Sequence, residues 1–306
     1  MLAYLLKRLV ASVPTLLGVS LVIFSMVHLT PGDPVQIMLD VHASAEQVER
    51  LRHELGLDLP LPQQYLRFVW GAMHGDLGNS LKSGRPAVTE MLDRLPATLT
   101  LALAGMGIAI AVGLVLGVVA AARRDTWVDS LTMVIAMLGV SLPSFWIGIL
   151  LIYVFGVKLQ WLPVAGASTW RHLVLPAITL GTLASSVLAR MTRSGMLEVL
   201  GSDYIRTARA KGLPDKVVLY RHALKNTLIP VVTIIGVQVG SLIGGTFIIE
   251  QLYAWPGVGR LAVGAIQARD YPLVQAIGLY VALGYVLVNL AVDLLYGLLD
   301  PRIRYA

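Results

Sequence analysis

Apolar residues in this chain gather in long runs, without the two-residue alternation of a half-buried strand or the single stripe of a water-facing helix. Six runs lie near Leu9–Leu29, Ala97–Ala122, Val128–Val157, Leu173–Met191, Thr227–Ile249 and Leu273–Leu295. Each has close to or more than the roughly 20 residues that carry a helix across a hydrocarbon core. The pattern predicts an all-α integral membrane protein with six transmembrane helices. The first run follows Lys7 and Arg8, yet it exceeds the apolar core of a cleaved signal and continues into "HLTPGDP". A retained anchor is expected there.

The stretch from Thr30 to Pro96 is too long for a plain connector and is expected to fold locally. "SAEQVERLRHELGL" has the form of a short amphipathic helix, with Ser44 to cap it, Glu46 and Glu49 at its start and Gly56 at its end. "LPQQYLRFVWGAMHGDLG" predicts a second helix with Tyr65, Phe68, Val69 and Met73 on one face.

Composition supports the membrane assignment: 56% of the 306 residues are hydrophobic and only 14% are charged. The net charge of +6 would suggest nucleic acid in a soluble protein. Here no nucleic-acid partner is expected, the surrounding partner is membrane lipid, and the charge sorts loops by side. Lys7, Arg8, Arg123, Arg124, Arg190, Arg193, Arg206, Arg209, Lys211, Lys216, Arg221, Lys225, Arg302 and Arg304 fall on one side of a six-span chain. The two short loops on the other side hold only Lys158, Arg171, Arg260 and Arg269. That bias places both termini in the cytoplasm. The expected organisation is an anchor at 1–30, an extracytoplasmic helical loop domain at 31–96, and a core at 97–306 with a cytoplasmic loop at 192–226.

Several spans carry irregularities. Pro143 in "GVSLPSFW" removes a backbone donor inside the third span and should kink it. The kink is either a packing device or, with Ser141 and Ser144 beside it, part of a lined pathway. Gly236, Gly240 and Gly244 fall on one stripe of the fifth span and favour close approach of another helix. Gln238 and Ser241 are the intramembrane candidates for a translocation path. Asn289 and Asp293 are read as a structural polar pair. Trp255-Pro256-Gly257 is turn chemistry, with Gly259 as a further flexible point. That segment is open to two readings, an outer gate or an aromatic-anchored loop.

Much chemistry is missing. The absence of cysteine removes disulfides, thiolate metal sites and a cysteine nucleophile. No GxxxxGK[ST] loop is present to cradle phosphates, "HELGL" lacks the second His of a zinc-protease helix, and no metal site is expected. No catalytic residue is assigned.

The segment "SDYIRTARAKGLPDKVVLYRHALKN" (202–226) interrupts the apolar runs. Ser202 or Asp203 can cap a first helix, with Tyr204, Ile205 and Ala208 on one face. Gly212 sits where a helix-ending glycine belongs, and Pro214 blocks continuation. Asp215 can cap a second helix with Val217, Tyr220, Leu224 and Leu228 in a stripe. The expected product is a helix–glycine–helix elbow whose small Ala208 and Ala210 allow another surface to approach.

This elbow resembles the cytoplasmic coupling loop of ABC importer permeases. Arg206-Thr207-Ala208 stands in the place of the family's Glu-Ala-Ala, and Gly212 is its glycine. Of the family's final Ile-x-Leu-Pro only Leu224 matches, with Lys225 in place of the proline. "TPGDP", "LGLDLPLPQQY", "IIEQLYAWPGVGR", "RDYPLVQ" and "LDPRIRY" extend the resemblance over nearly the whole chain, toward the dipeptide, oligopeptide and nickel branch. The resemblance implies a type I importer permease of the bacterial inner membrane. Its partners would be a second homologous permease, two ATP-binding subunits and an extracytoplasmic substrate-binding protein. ATP and Mg²⁺ would be held by the ATP-binding subunits, with no cofactor on this chain. Tyr204, Arg206, Thr207, Ala208, Lys211, Gly212 and Leu213 would couple to an ATP-binding subunit. The implied cargo is short peptides, with nickel or a nickel chelate as the alternative. A self-sufficient secondary transporter is disfavoured by few mid-membrane carboxylates and no evident two-fold repeat. An intramembrane enzyme lacks a nucleophile–base or metal pair.

Overall fold

The computed structural model describes residues 2–29, 45–54 and 56–299. Among them the secondary structure is helical, apart from one isolated bridge between Asn79 and Pro86. Four helices are individually long and apolar enough to cross a membrane, and six spans result if each of two bent helix pairs crosses once. The chain divides into two compact units.

The first unit comprises Met1–Ala97 and Pro256–Leu287. Its first helix, α1 (Leu2–Leu29), is followed by α2 (Ala45–Glu54) and α3 (Leu61–Met73). Ser44, expected to cap α2, lies outside the described residues. Gly56 ends α2 as expected: its φ is +67°, its N–H reaches the His53 carbonyl, and the Leu57 N–H reaches that of Arg52. The hydrogen bond that His53 Nδ1 donates to the Asp58 carboxylate (2.6 Å) raises the imidazole above its ordinary pKa and ties the helix end to the next turn. Helix α3 packs on α1 through Phe24, which lies against Tyr65 and Phe68, and through Ser20–Tyr65 and His28–Gln64 hydrogen bonds, each 2.9 Å. Met73 departs from the expected apolar face. It is the last residue of α3 and is exposed.

After α4 (Ala87–Ala122), which contributes to both units, the second unit (Thr98–Trp255 and Val288–Ala306) is built on helix α7 (Arg171–Leu200). Thirteen α7 residues are buried. Small residues let its neighbours approach. A Cβ on Gly113 of α4 would stand 2.6 Å from Leu188 Cβ, and one on Gly181 of α7 would stand 2.6 Å from the Gly105 carbonyl oxygen. Gly139 of α5 (Trp127–Ser141) and Gly148 of α6 (Ser144–Leu151) sit against Ser186 and Thr179 of α7 in the same way. With no hydrophobic gain between helices in lipid, dispersion from such close packing supplies association. The fifth-span glycines behave unequally. Gly236 faces Val292, where a Cβ would come within 2.7 Å, whereas Gly244 meets nothing within 4 Å.

The third span is not a kinked helix but two helices. Leu142 and Pro143 are both extended (ψ 135°), and α5 diverges by 107° from the following helical stretch Ser144–Lys158. Proline pushes its predecessor out of helical geometry and then starts the next helix with its own φ already set. Helix α6 continues as a wider π-turn over Ile152–Lys158.

Several buried polar groups in this unit are answered, whereas the buried Thr192 hydroxyl has no hydrogen-bond partner among the described residues. The Thr98 hydroxyl donates to the Glu250 carboxylate at 2.7 Å. The Tyr253 hydroxyl lies 2.8 Å from that of Thr179 and 3.2 Å from the Gly148 carbonyl. Such bonds offset the desolvation cost of placing polar atoms in an apolar interior. The turn expected at Trp255-Pro256-Gly257 is made one residue earlier. Ala254 takes φ +50°, Trp255 is buried, and its N–H caps the preceding helix at the Glu250 carbonyl (2.8 Å). Gly259 lies inside the next helix, buried, and supplies no hinge.

Candidate functional site

The elbow follows α7. Helix α8 (Asp203–Ala210) begins after Ser202, whose hydroxyl bonds the Val199 carbonyl at 2.6 Å instead of capping α8. Its end matches the expected form. Gly212 has φ +77°, its N–H bonds the Arg209 carbonyl at 2.9 Å, and the Leu213 N–H reaches the Ala208 carbonyl at 3.4 Å. This paired closure is a Schellman motif, and its left-handed residue is the one glycine tolerates without strain. Pro214 then takes the position before α9 (Asp215–Val217), so Asp215 is the first helical residue and not the cap.

Helix α9 widens at once into a π-segment, Val218–Leu224, before α10 (Lys225–Leu252). Widening changes the angular step, so the expected stripe of Val217, Tyr220, Leu224 and Leu228 is not the buried one. Val218 and Ala223 are buried, while Tyr220 is exposed.

The elbow has two unlike faces. Ile205, Ala208, Val218 and Ala223 form one cluster with Ala121 of α4 and Met196 of α7. Ala208 thus packs beneath the elbow, which corrects its reading as an approachable surface residue. The opposite face is open: Tyr204, Arg206, Thr207, Lys211, Gly212 and Leu213 are exposed, as are Arg209, Ala210, Lys216, Arg221 and Lys225. Arg206 and Arg209 each stand 3.5 Å from an exposed aspartate, Asp203 and Asp215 respectively, and such pairs contribute little to stability. The Tyr204 hydroxyl accepts from Asn226 Nδ2 at 2.6 Å and so links α8 to the base of α10. Beyond Gly212, a Cβ would meet nothing within 4 Å.

A second anchor, missed in the sequence, holds the neighbouring loop. Arg193 forks onto Asp129, Nε to Oδ1 at 2.6 Å and Nη2 to Oδ2 at 2.7 Å. Asp129 is buried and also accepts the Asp125 N–H at 3.2 Å. From sequence alone Arg193 is only a loop charge. The available signal was a carboxylate in the first turn of an apolar helix, which needs a partner.

The four path candidates do not converge. Ser141 and Ser144 flank the α5–α6 break, the first exposed and the second half-buried. Gln238 is half-buried, and the Ser241 hydroxyl turns back to the Val237 carbonyl of its own helix at 3.2 Å. Among the described residues, no hydrogen bond joins the two pairs.

An all-helical membrane fold carrying a basic, two-faced elbow between α7 and α10 defines a class. Residues 113–305 match the family described as "binding-protein-dependent transport system inner membrane component", and residues 1–102 match that described as its N-terminal part. The chain belongs to this family: it is a permease subunit of an ABC importer with the type I fold. It is 45% identical over 305 residues, covering 100% of both chains, to the glutathione transport system permease protein GsiC of Escherichia coli (strain K12). The same figures hold for the protein of that name from Pectobacterium atrosepticum. The fold is shared with the MetNI methionine ABC transporter in an inward-facing form, at TM-score 0.58 and 18% identity, over 69% of this chain and 96% of that one. An amino acid ABC transporter solved with histidines aligns at TM-score 0.54 and 14% identity, over 68% and 93%.

Proposed function

We propose that this chain forms one part of the membrane pathway of an ATP-driven importer for short, glutathione-like peptides. The observation that carries this reading is the 45% identity, over 100% of both chains, to permeases of glutathione transport systems. Those relatives favour peptide over nickel as cargo. In this reading both termini are cytoplasmic, 1–30 is an anchor, 31–96 is an extracytoplasmic loop domain, and 97–306 is the core. The elbow then faces the cytoplasm and docks an ATP-binding subunit through Tyr204, Arg206, Thr207, Lys211, Gly212 and Leu213, with Ala208 supporting them from below. A second permease, a second ATP-binding subunit and a substrate-binding protein complete the assembly. ATP and Mg²⁺ are held outside this chain.

The exposed basic face of the elbow, held on a buried apolar cluster, supports the docking part of the reading. A rigid element is a suitable lever, since nucleotide can shift the pathway only through a difference in free energy between two arrangements. The test is uptake of glutathione and dipeptides into vesicles bearing the co-expressed assembly. Uptake is expected to require ATP, the binding protein and this chain together. Uptake driven by a proton gradient without ATP would overturn the reading. Orientation is tested in the cysteine-free background: Lys82→Cys should label from outside intact cells, and Lys216→Cys only after the inner face is exposed.

A further inference from the structure

The first unit holds a cavity of about 500 Å³ between the segment 80–94 and helix α11 (Val258–Gln267), near the start of α12 (Tyr271–Leu299). That volume falls in the range of small-molecule sites, about 300–1,000 Å³. Its lining includes three cations, Lys82, Arg94 and Arg260, and two carboxylates, Glu90 and Asp270.

The carboxylates are already occupied by neutral donors. Asp270 is 1% exposed and accepts the Ser80 hydroxyl, the Leu273 N–H at 3.3 Å and the Lys82 N–H at 3.4 Å. Glu90 accepts the Ser83 hydroxyl at 2.7 Å. Nearby Arg85, by contrast, is paired with Asp93 at 2.6 Å. Neither the Lys82 ammonium nor the Arg94 guanidinium has an ion-pair partner among the described residues. The cavity therefore presents two cationic residues, Lys82 and Arg94, whose charge its own anions do not directly neutralise. An arginine and a lysine lining one cleft suit a carboxylate, which accepts strong charge-assisted hydrogen bonds.

We infer that this cavity binds a free carboxylate of the peptide cargo on the permease itself, before it enters the membrane. The inference rests on the peptide-importer reading above, which puts this cavity on the extracytoplasmic side. The alternative source of the same chemistry, an acidic side chain of the docking binding protein, is separated by the test.

The complete permease–ATPase assembly in lipid nanodiscs, without binding protein, is titrated with glutathione and with glutathione diethyl ester, using saturation-transfer NMR. Glutathione should bind and the ester should bind at least several-fold more weakly. Lys82→Gln and Arg94→Gln should each weaken glutathione binding about tenfold, the scale of a lost hydrogen bond to a charged group. Arg85→Gln, an equal charge loss outside the cavity lining, should leave binding unchanged. In parallel, the binding-protein concentration that half-maximally stimulates ATP hydrolysis is measured. It should be unchanged in all three variants. Unaltered glutathione binding in Lys82→Gln and Arg94→Gln overturns the inference. So does a rise in the half-stimulating binding-protein concentration with solute binding intact, which assigns these cations to protein docking. Absence of ATP-dependent peptide uptake by the wild-type assembly instead refutes the importer-cargo reading, and the cargo site with it. Normal uptake without solute binding refutes the cavity alone.

Discussion

Gly212 separates backbone strain from docking sterics because its two possible roles respond to different substitutions. Its φ is +77°, and a Cβ there meets nothing within 4 Å, so in the chain alone a side chain adds no clash. What it adds is the left-handed penalty, about 1–2 kcal/mol for an ordinary L-residue. Asparagine visits this region routinely and should incur less than alanine, while β-branched valine should incur the most. At 1.4 kcal/mol per tenfold, Gly212→Ala should open the Schellman closure about tenfold more often, Gly212→Val more than that, and Gly212→Asn only a few-fold. Hydrogen exchange at the Gly212 and Leu213 amides reads this directly, because they donate the two closing bonds to Arg209 and Ala208. ATP-coupled uptake in vesicles should follow the same ranking, with the chain still inserted. Wild-type exchange rates in Gly212→Val would refute the strain argument. Protected amides in Gly212→Asn with uptake as poor as in Gly212→Val would show that surface bulk, not backbone geometry, is what the elbow cannot accept.

The Asp129–Arg193 fork predicts asymmetric losses. Arg193→Met leaves a carboxylate buried without its partner and should destabilise the detergent-solubilised chain by about 2–4 kcal/mol, whereas adding Asp129→Asn should recover much of that; thermal unfolding of the single and double variants checks it. Gly181→Ala sets a Cβ 2.6 Å from the Gly105 carbonyl oxygen and should cost about 1–3 kcal/mol, while Gly107→Ala, with nothing within 4 Å, should cost none. Equal melting temperatures for the two alanine variants would remove close packing on α7 as a source of stability.

Helices were legible because length and apolarity suffice to name them, and what lay between was legible where a single residue type dictates one conformation. Gly56 and Gly212 end their helices at φ +67° and +77°, as their positions implied. Ala254 and Arg269 do the same work at φ +50° and +51° without any sequence mark. Neither alanine nor arginine advertises a left-handed turn. Their strain is accepted because surrounding contacts over-determine the backbone, in one case by the buried Trp255 and in the other by the buried Asp270 that follows. The break at Pro143 was visible in kind but not in size. Proline announces a lost hydrogen bond, whereas the 107° between α5 and the stretch Ser144–Lys158 depends on Leu142 also leaving helical geometry.

The elbow shows the same limit one level up. A stripe read at 3.6 residues per turn assumes an α-helix, and the π-segment over Val218–Leu224 invalidates that step, moving burial to Val218 and Ala223. The exposed charged residues could be read from sequence because charge keeps them in water, whichever helix type carries them. The buried ones could not, since Ala208 faces the core only because Ala121, far away in sequence, and Met196 of the preceding helix are there to receive it. Polarity is a property of one residue, but burial is a property of a contact. That difference explains why Arg206, Arg209 and Lys211 lie on the open face as expected, while Ala208 lies beneath it and the Asp129–Arg193 fork is not legible from sequence.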